Sequence, residues 1–352
     1  MIFTLELGIG TPTLWAITLA AVVVLFVADF FVTRKPHEVS ITEAIGWSVF
    51  YIALPLAFGG WIWFQYGGQI ATQYYGGYLV EKSLSVDNLF VFMLLLASFA
   101  VPRELQQRVL LIGVAGALVL RGVFIAIGAA MLASFSWTFL LFGAILLATA
   151  VKVYRDARDP SEQEIDPNQL RVVRLVRRFY PVTEGYRGTR MSLVENRRRA
   201  VTPLALATLA ILATDVVFAV DSVPAVYGIT GDPYLVFVTN AFALLGLRAL
   251  YFVLEGLLSA LVHLGYGLAA ILAFIGAKLV LHWAHGIWPM VPTIPTNASL
   301  IVIVAILATV VMTSLLANRH HRRAAVRAGS AELNDSAELN DPERSQEPEQ
   351  ES

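Results

Sequence analysis

Nine stretches of this chain are long and apolar enough to cross a bilayer, and that pattern leaves few folds open. They cover roughly 13–33, 42–64, 77–101, 106–131, 135–154, 200–228, 234–258, 264–283 and 298–317. A hydrocarbon core of about 30 Å takes a helix of about 20 apolar residues. Several windows exceed the roughly 18 largely apolar residues that mark a transmembrane helix. Hydrophobic residues make up 57% of the 352 and charged ones 14%, which excludes an ordinary soluble domain. The expected fold is an all-α polytopic membrane protein of about nine transmembrane helices. There is no cysteine, so disulfides and thiolate metal sites are excluded.

Lys and Arg set the orientation. The connection from about 155 to 199 holds eleven Arg against seven acids. It is therefore expected to be cytoplasmic, and alternation puts Arg34, Lys35, Arg103, Arg108 and Arg319 on the same side. The opposite connections, about 65–76, 229–233 and 284–297, hold no Lys or Arg. Nine spans with the N-terminus outside and the C-terminus cytoplasmic satisfy every loop. The N-terminal stretch has no basic residue before its apolar run, so the first span is expected to be retained. The expected location is the cytoplasmic (inner) membrane, multi-pass.

These boundaries divide the chain into a transmembrane domain, 1–318, and a tail, 319–352, that is basic and then acidic. Within the basic connection, LRVVRLVRRFY (170–180) alternates apolar and Arg residues at helical spacing. It suits a short amphipathic helix on the inner leaflet, or a plain topology signal. The tail after Gly329 repeats a hexapeptide and carries eight acids and one Arg, so it is expected to be disordered.

Two apolar spans carry matching acids. Glu81-Lys-Ser-Leu-Ser-Val-Asp87-Asn88 and Asp215-Val-Val-Phe-Ala-Val-Asp221-Ser222 each place two carboxylates six residues apart, with a side-chain oxygen following. Ionisable groups inside a membrane are costly and point to function. The match extends further. Arg121 and Lys152 follow the first motif as Arg248 and Lys278 follow the second, at similar separations. Repeat one, about 77–154, and repeat two, about 200–283, run in opposite directions under the expected topology. Such an inverted three-plus-three arrangement is a common transporter plan. The extra helices are about 13–64 and 298–317.

Helix geometry constrains these acids. Six residues turn about 600°, so the acids of one motif stand about 120° apart on a straight helix. Either two facing helices share a cavity, or each unwinds at its motif, and Pro224 favours unwinding or a kink in span six. Glu81, Asp87, Asn88, Asp215, Asp221 and Ser222 form an oxygen-only set suited to Mg²⁺, Mn²⁺ or Ca²⁺. Arg121 and Arg248, too deep to snorkel easily, are expected to pair with the acids as structural neutralisers or moving counterions. Lys278 lies toward the outer end of its span and calls for an internal partner. Lys152 either snorkels to the surface or faces the site. Asp29 reads equally as interfacial or as part of the site.

GGYLVEKSLSVDNLFVF, LQQRVLLIGVAGALVLRG, TPLALATLAILATDVVFAVDSVPAVYGIT, DPYLVFVTNAFALLGLRALYFVL and IGAKLVL resemble the TerC family of integral membrane proteins over residues 15–285. The family takes its name from tellurium resistance, and its members are implicated in Mn²⁺ export and metal homeostasis. The resemblance implies Glu81, Asp87, Asn88, Asp215, Asp221 and Ser222 as ion-site residues. It implies no permanently bound cofactor, and a transported divalent cation, Mn²⁺ first. One position departs: Leu212 stands where many members carry Glu three residues before the first Asp of the second motif.

Three function classes follow. A divalent cation exporter uses the acids as ligands. A non-transporting membrane assembly or stress-resistance factor uses them in fixed ion pairs. An intramembrane hydrolase needs two carboxyls sharing one proton, and four acids with counter-charges fit that poorly. Tellurite as direct substrate fits poorly as well, because the site holds more acid than base. The expected partners are the lipid bilayer and a divalent ion, with no nucleic acid; protein partners stay open.

Overall fold

The computed structural model describes residues 8–32, 40–158, 170–255 and 264–317, apart from 184, 187, 196, 197 and 315. The acidic tail, Arg34 and Lys35 lie outside the described residues. The elements are α1 (Pro12–Val32), α2 (Ile41–Tyr66), α3 (Gly68–Ser98), α4 (Arg103–Ser134), α5 (Thr138–Arg158) and α6 (Arg171–Phe179). They continue with strands β1 (Ser192–Glu195) and β2 (Arg198–Val201), then α7 (Pro203–Tyr227), α8 (Pro233–Leu245), α9 (Leu247–Glu255) and α10 (Leu264–Ile287). A last helix, α11, covers Thr296–Ser314.

Among the described residues, eight segments are long and apolar enough to span a membrane: α1, α2, α4, α5, α7, the α8–α9 pair, α10 and α11. The ninth, α3, has 31 residues and is less apolar because it carries Glu81, Lys82 and Asp87. Its rise of about 1.5 Å per residue gives ample length to cross. The protein is thus an all-α polytopic membrane protein, with one antiparallel hairpin, Ser192 opposite Val201 and Glu195 opposite Arg198, in the connection before α7. That hairpin was not expected from the sequence.

Local chemistry sets the helix ends. Thr202 caps α7 by accepting from the Ala205 amide at 3.3 Å, with Pro203 at the first helical position. Asp232 does the same for α8, accepting from Tyr234 at 2.9 Å, ahead of Pro233. Its other oxygen takes the Ile9 amide at 2.8 Å and so ties the chain's start to α8. Burial pushes the Asp232 carboxyl up, while the amides of Tyr234, Ile9 and Leu235 pull it down. Between α2 and α3 the chain turns at Gly67, whose φ of 85° favours glycine.

The helices pack as two related sets. α3 lies along α8 as α7 lies along α4; α3 meets α7, α4 meets α8, and α5 runs against α10. These symmetric contacts are those of an internal repeat. At the α5–α10 seam a methyl group on Gly143 would stand 2.9 Å from the Gly276 carbonyl, and one on Gly276 would stand 3.1 Å from that of Gly143. Glycine lets the two backbones approach there, as is common in membrane bundles. α8 is buried over every residue from Tyr234 to Leu245, so a helix apolar all round sits at the centre. α1 and α11 expose large apolar side chains, Val24 and Phe31 on one and Ile301 and Met312 on the other, as lipid-facing helices do.

The expected unwinding at the acidic motifs is not found. α3 is continuous through Glu81–Asn88, and α7 is continuous through Asp215–Ser222 to Tyr227. Pro224 lies in the last turn of α7, where it removes the bond an N–H would make to the Val220 carbonyl, yet the helix continues to Tyr227. The interruption falls in span seven, at Gly246 between α8 and α9. A side chain would be crowded there: a Cβ on Gly246 would stand 2.9 Å from Cβ of Tyr51 and 3.2 Å from Nζ of Lys82.

Candidate functional site

The site starts from Arg121, fully buried halfway along α4. A guanidinium has five N–H donors, and all five have acceptors. Nε and Nη2 reach the two oxygens of Asp215 at 3.2 and 3.0 Å. Nη1 donates to Glu81 and, at 2.9 Å, to Oδ1 of Asn240. With its amide turned to suit its neighbours, Asn88 accepts from Nη2 at 3.3 Å and donates to the Leu84 carbonyl at 3.1 Å. Asn240 is fixed in turn by donating to Val236 at 3.1 Å. One side chain thereby ties together α3, α4, α7 and α8. Glu81 and Asp215 are 0% and 1% exposed, so this clamp is closed off from bulk solvent.

The second acid of each motif faces elsewhere. Asp87 and Asp221 line a cavity of about 790 Å³ among α3, α5, α7 and the start of α6. Asn88 belongs to both places, lining the cavity and bonding Arg121. Thr149, Lys152 and Asp156 of α5, with Arg171 of α6, also line the cavity. Lys152, Asp156 and Arg171 are exposed, so the cavity opens on the face that carries the basic connection. The 120° offset of each motif is thus realised on straight helices: the first acid turns to the clamp and the second to the cavity.

Several buried oxygens on these helices have no partner among the described residues. Oε2 of Glu81, Oγ of Ser85 and Oγ of Ser222 make no hydrogen bond to any of them. Buried polar groups are rarely left so, and such atoms mark places where water or an ion belongs. Among the described residues, no three Asp, Glu or His side chains converge as a ready-made metal cage. Carboxylates reach the cavity as the Asp87 and Asp221 pair, beside Asp156 at its mouth.

Arg248 lies in a different network. Its Nη2 pairs with Asp29 of α1, and its Nη1 donates to Gln107 of α4 at 3.2 Å. Tyr51 of α2 hydrogen-bonds to Asp29 as well. The expected pairing of Arg248 with the motif acids is therefore corrected: its carboxylate is Asp29, and among the described residues Arg121 is the arginine paired with Glu81 and Asp215. Lys152 stands at the cavity mouth. Lys278 is half-buried in α10, near His282, away from the cavity lining.

Two residues escaped the sequence reading. Asn240 is the lone carboxamide inside the apolar run of α8, and that isolation was its signal. Lys82 directly follows Glu81, yet its Nζ is buried without a partner against the Gly246 break.

Residues 66–322 match the protein family described as Integral membrane protein TerC family. The chain belongs to the TerC family. A membrane protein of Myxococcus xanthus described as uncharacterized is 40% identical over 315 residues, covering 89% of this chain and 95% of its own. A putative membrane-bound redox modulator Alx of Salmonella typhi is 37% identical, over 91% of this chain and 99% of its own length. The tellurium resistance protein TerC of Serratia marcescens is 36% identical, over 88% and 95%. No solved structure matches the chain. TerC membership agrees with a multi-pass protein whose matched region contains both acidic motifs.

Proposed function

We propose that this TerC protein exports a divalent metal cation, Mn²⁺ first, across the inner membrane. The observation that carries the reading is the cavity lined by Asp87, Asn88 and Asp221, open on one face, with Asn88 also bonded to the Arg121 clamp. A cation entering from the basic face meets two carboxylates from two facing helices, with Asn88 beside them. Hard divalent ions of this size commonly keep several waters and bind through one or two carboxylates. A partly hydrated ion is therefore the form these ligands suit. Ser222, Glu81 and Asp215 lie behind them as the remaining members of the set.

The charge balance supports a cation. Four motif carboxylates against Arg121 leave −3 if all are ionised, in a region where uncompensated charge is costly. Lys152 lowers the deficit from the mouth. A divalent ion neutralises most of the remainder, and its departure requires protons or a movement of charge. The symmetric contacts of α3–α5 with α7–α10 support an inverted repeat, in which the two units rock about the shared site. In this reading the cavity opens to the cytoplasm, with the N-terminus outside.

A second reading, a non-transporting assembly or stress-resistance factor, draws on the complete satisfaction of Arg121. A clamp with all five donors engaged looks like permanent structure, and relatives carry the words redox modulator and tellurium resistance. Flux through purified protein in sealed liposomes separates the two. Transport of Mn²⁺ by the wild-type protein, saturating and absent from empty liposomes, is expected. Liposomes that hold their metal in the presence of folded protein would end the exporter reading.

A further inference from the structure

The helix α6 has two exposed strips, of which only Arg171 also lines the transport cavity. Val173 is fully buried, and Val172 and Val176 share its side, where α6 packs on α7. At 100° per residue, Arg171, Arg174 and Arg178 fall on one outward strip at i, i+3 and i+7. Leu175 and Phe179 fall on the strip beside it at i and i+4, and they are 58% and 69% exposed. The helix has no acid. It sits at the face where α5 ends and α7 begins, so it lies beside a bilayer surface. An apolar strip next to a basic strip, at a membrane face, fits acyl chains on one side and phosphate on the other.

We propose that α6 is a docking surface for anionic phospholipid headgroups, with Arg171, Arg174 and Arg178 on the phosphates and Leu175 and Phe179 in the upper acyl region. The docking has a consequence for the cavity, because Leu170, Arg171 and Val172 form part of its wall. Arg171 shares that wall with Asp87, Asp156 and Asp221. A guanidinium there competes with an incoming cation for carboxylates. Headgroups that draw the arginines outward relieve that competition, so anionic lipid favours loading of the cavity. This second step rests on the transport reading; the docking itself does not.

The test uses the full chain in nanodiscs. Because the chain has no cysteine, Leu175→Cys gives a single nitroxide attachment point. Collision with lipid-soluble oxygen is compared with collision with a water-soluble nickel chelate, in phosphatidylcholine alone and with about one-third phosphatidylglycerol. The expected result is a several-fold shift toward oxygen when phosphatidylglycerol is present. Near-molar salt should reverse the shift, since headgroup attraction is screened. The combined R171Q, R174Q and R178Q variant should lose the shift, and the R171K, R174K and R178K variant should keep it. A label indifferent to phosphatidylglycerol, or one that shifts equally in the Gln variant, overturns the proposal. So does an equal shift caused by millimolar inorganic phosphate in phosphatidylcholine, which assigns the site to a soluble anion. Mn²⁺ flux into liposomes is read in parallel and should rise several-fold with phosphatidylglycerol in wild type but not in the Gln variant. A label that responds in protein that moves no Mn²⁺ supports the docking and removes the transport reading.

Discussion

Arg121 holds Asp215 through two parallel contacts, Nε to one oxygen at 3.2 Å and Nη2 to the other at 3.0 Å, joining α4 to α7. The same guanidinium reaches Glu81 on α3. The first acid of each motif therefore belongs to one structural unit, and the second acid of each belongs to a cavity. That division generates different expectations for residues only six positions apart.

Arg121→Gln should prevent stable folding or insertion. It leaves two buried carboxylates without their counter-charge, and breaking such a pair by removing one partner costs about 3–5 kcal/mol. Arg121→Lys should fail nearly as badly, since one ammonium has three donors and no planar fork to replace five contacts. Monodisperse yield from membranes, read by fluorescence-detected size exclusion, checks both. Wild-type yield from Arg121→Gln would mean the clamp contributes little.

The α5–α10 seam makes a separate prediction. Gly143→Ala and Gly276→Ala each drive a methyl group against the opposing backbone carbonyl, which has no rotamer to move away. Overpacking of this sort costs about 1–3 kcal/mol. Thermal unfolding of the detergent-solubilised protein should show a lower midpoint for each. Gly60→Ala, where a methyl group meets nothing within 4 Å, is the control and should leave the midpoint unchanged.

The spans were legible because hydrocarbon thickness and apolar run length are coupled so tightly; each expected span has its helix. The pairing of Glu81 and Asp215 with Arg121 was also within reach, since a mid-span Arg needs an acid. Arg248 shows where that logic stops. Its sequence setting matches that of Arg121, but its partner Asp29 comes from α1, outside the repeats, and spacing carries no record of that contact. The break at Gly246 was hidden in LLGLRALYF, which reads as one apolar run. Tyr51 and Lys82, from α2 and α3, leave little room for a side chain at that position. Pro224 drew attention as a local breaker, but α7 continues through it to Tyr227.

Lys82 gives a prediction about stability. Its Nζ is enclosed against Gly246 without a hydrogen-bond partner among the described residues. Burying a polar group without compensation costs about 1–3 kcal/mol on mutational scales. Lys82→Met keeps the length and removes the polar head, so it should raise the thermal midpoint of the purified protein. A lower midpoint would show that the ammonium makes a stabilising contact, through water or lipid.

The last expectation contrasts the two classes of acid. Asp87→Asn and Asp221→Asn keep shape and most hydrogen-bonding capacity while each removes one negative charge from the cavity wall. Ligand charge strongly influences affinity for hard cations, so each change should weaken Mn²⁺ binding sharply. Neither residue supports the clamp, so both variants should accumulate normally. Glu81→Gln and Asp215→Asn should behave in the opposite way, because they remove the negative charges that balance Arg121, and Asp215→Asn also turns one accepting oxygen into a donor against the guanidinium. Their first symptom should be lost protein. The measurement is growth and internal metal content of cells lacking their own Mn²⁺ exporters, at matched expression. Wild-type protein should lower internal Mn²⁺ and restore growth at high Mn²⁺; the cavity variants should be present but inactive. A fixed scaffold would reverse the pattern, with cavity variants changing abundance and no metal phenotype at all. Normal efflux by the double Asp87→Asn, Asp221→Asn variant would remove the cavity from the transport path.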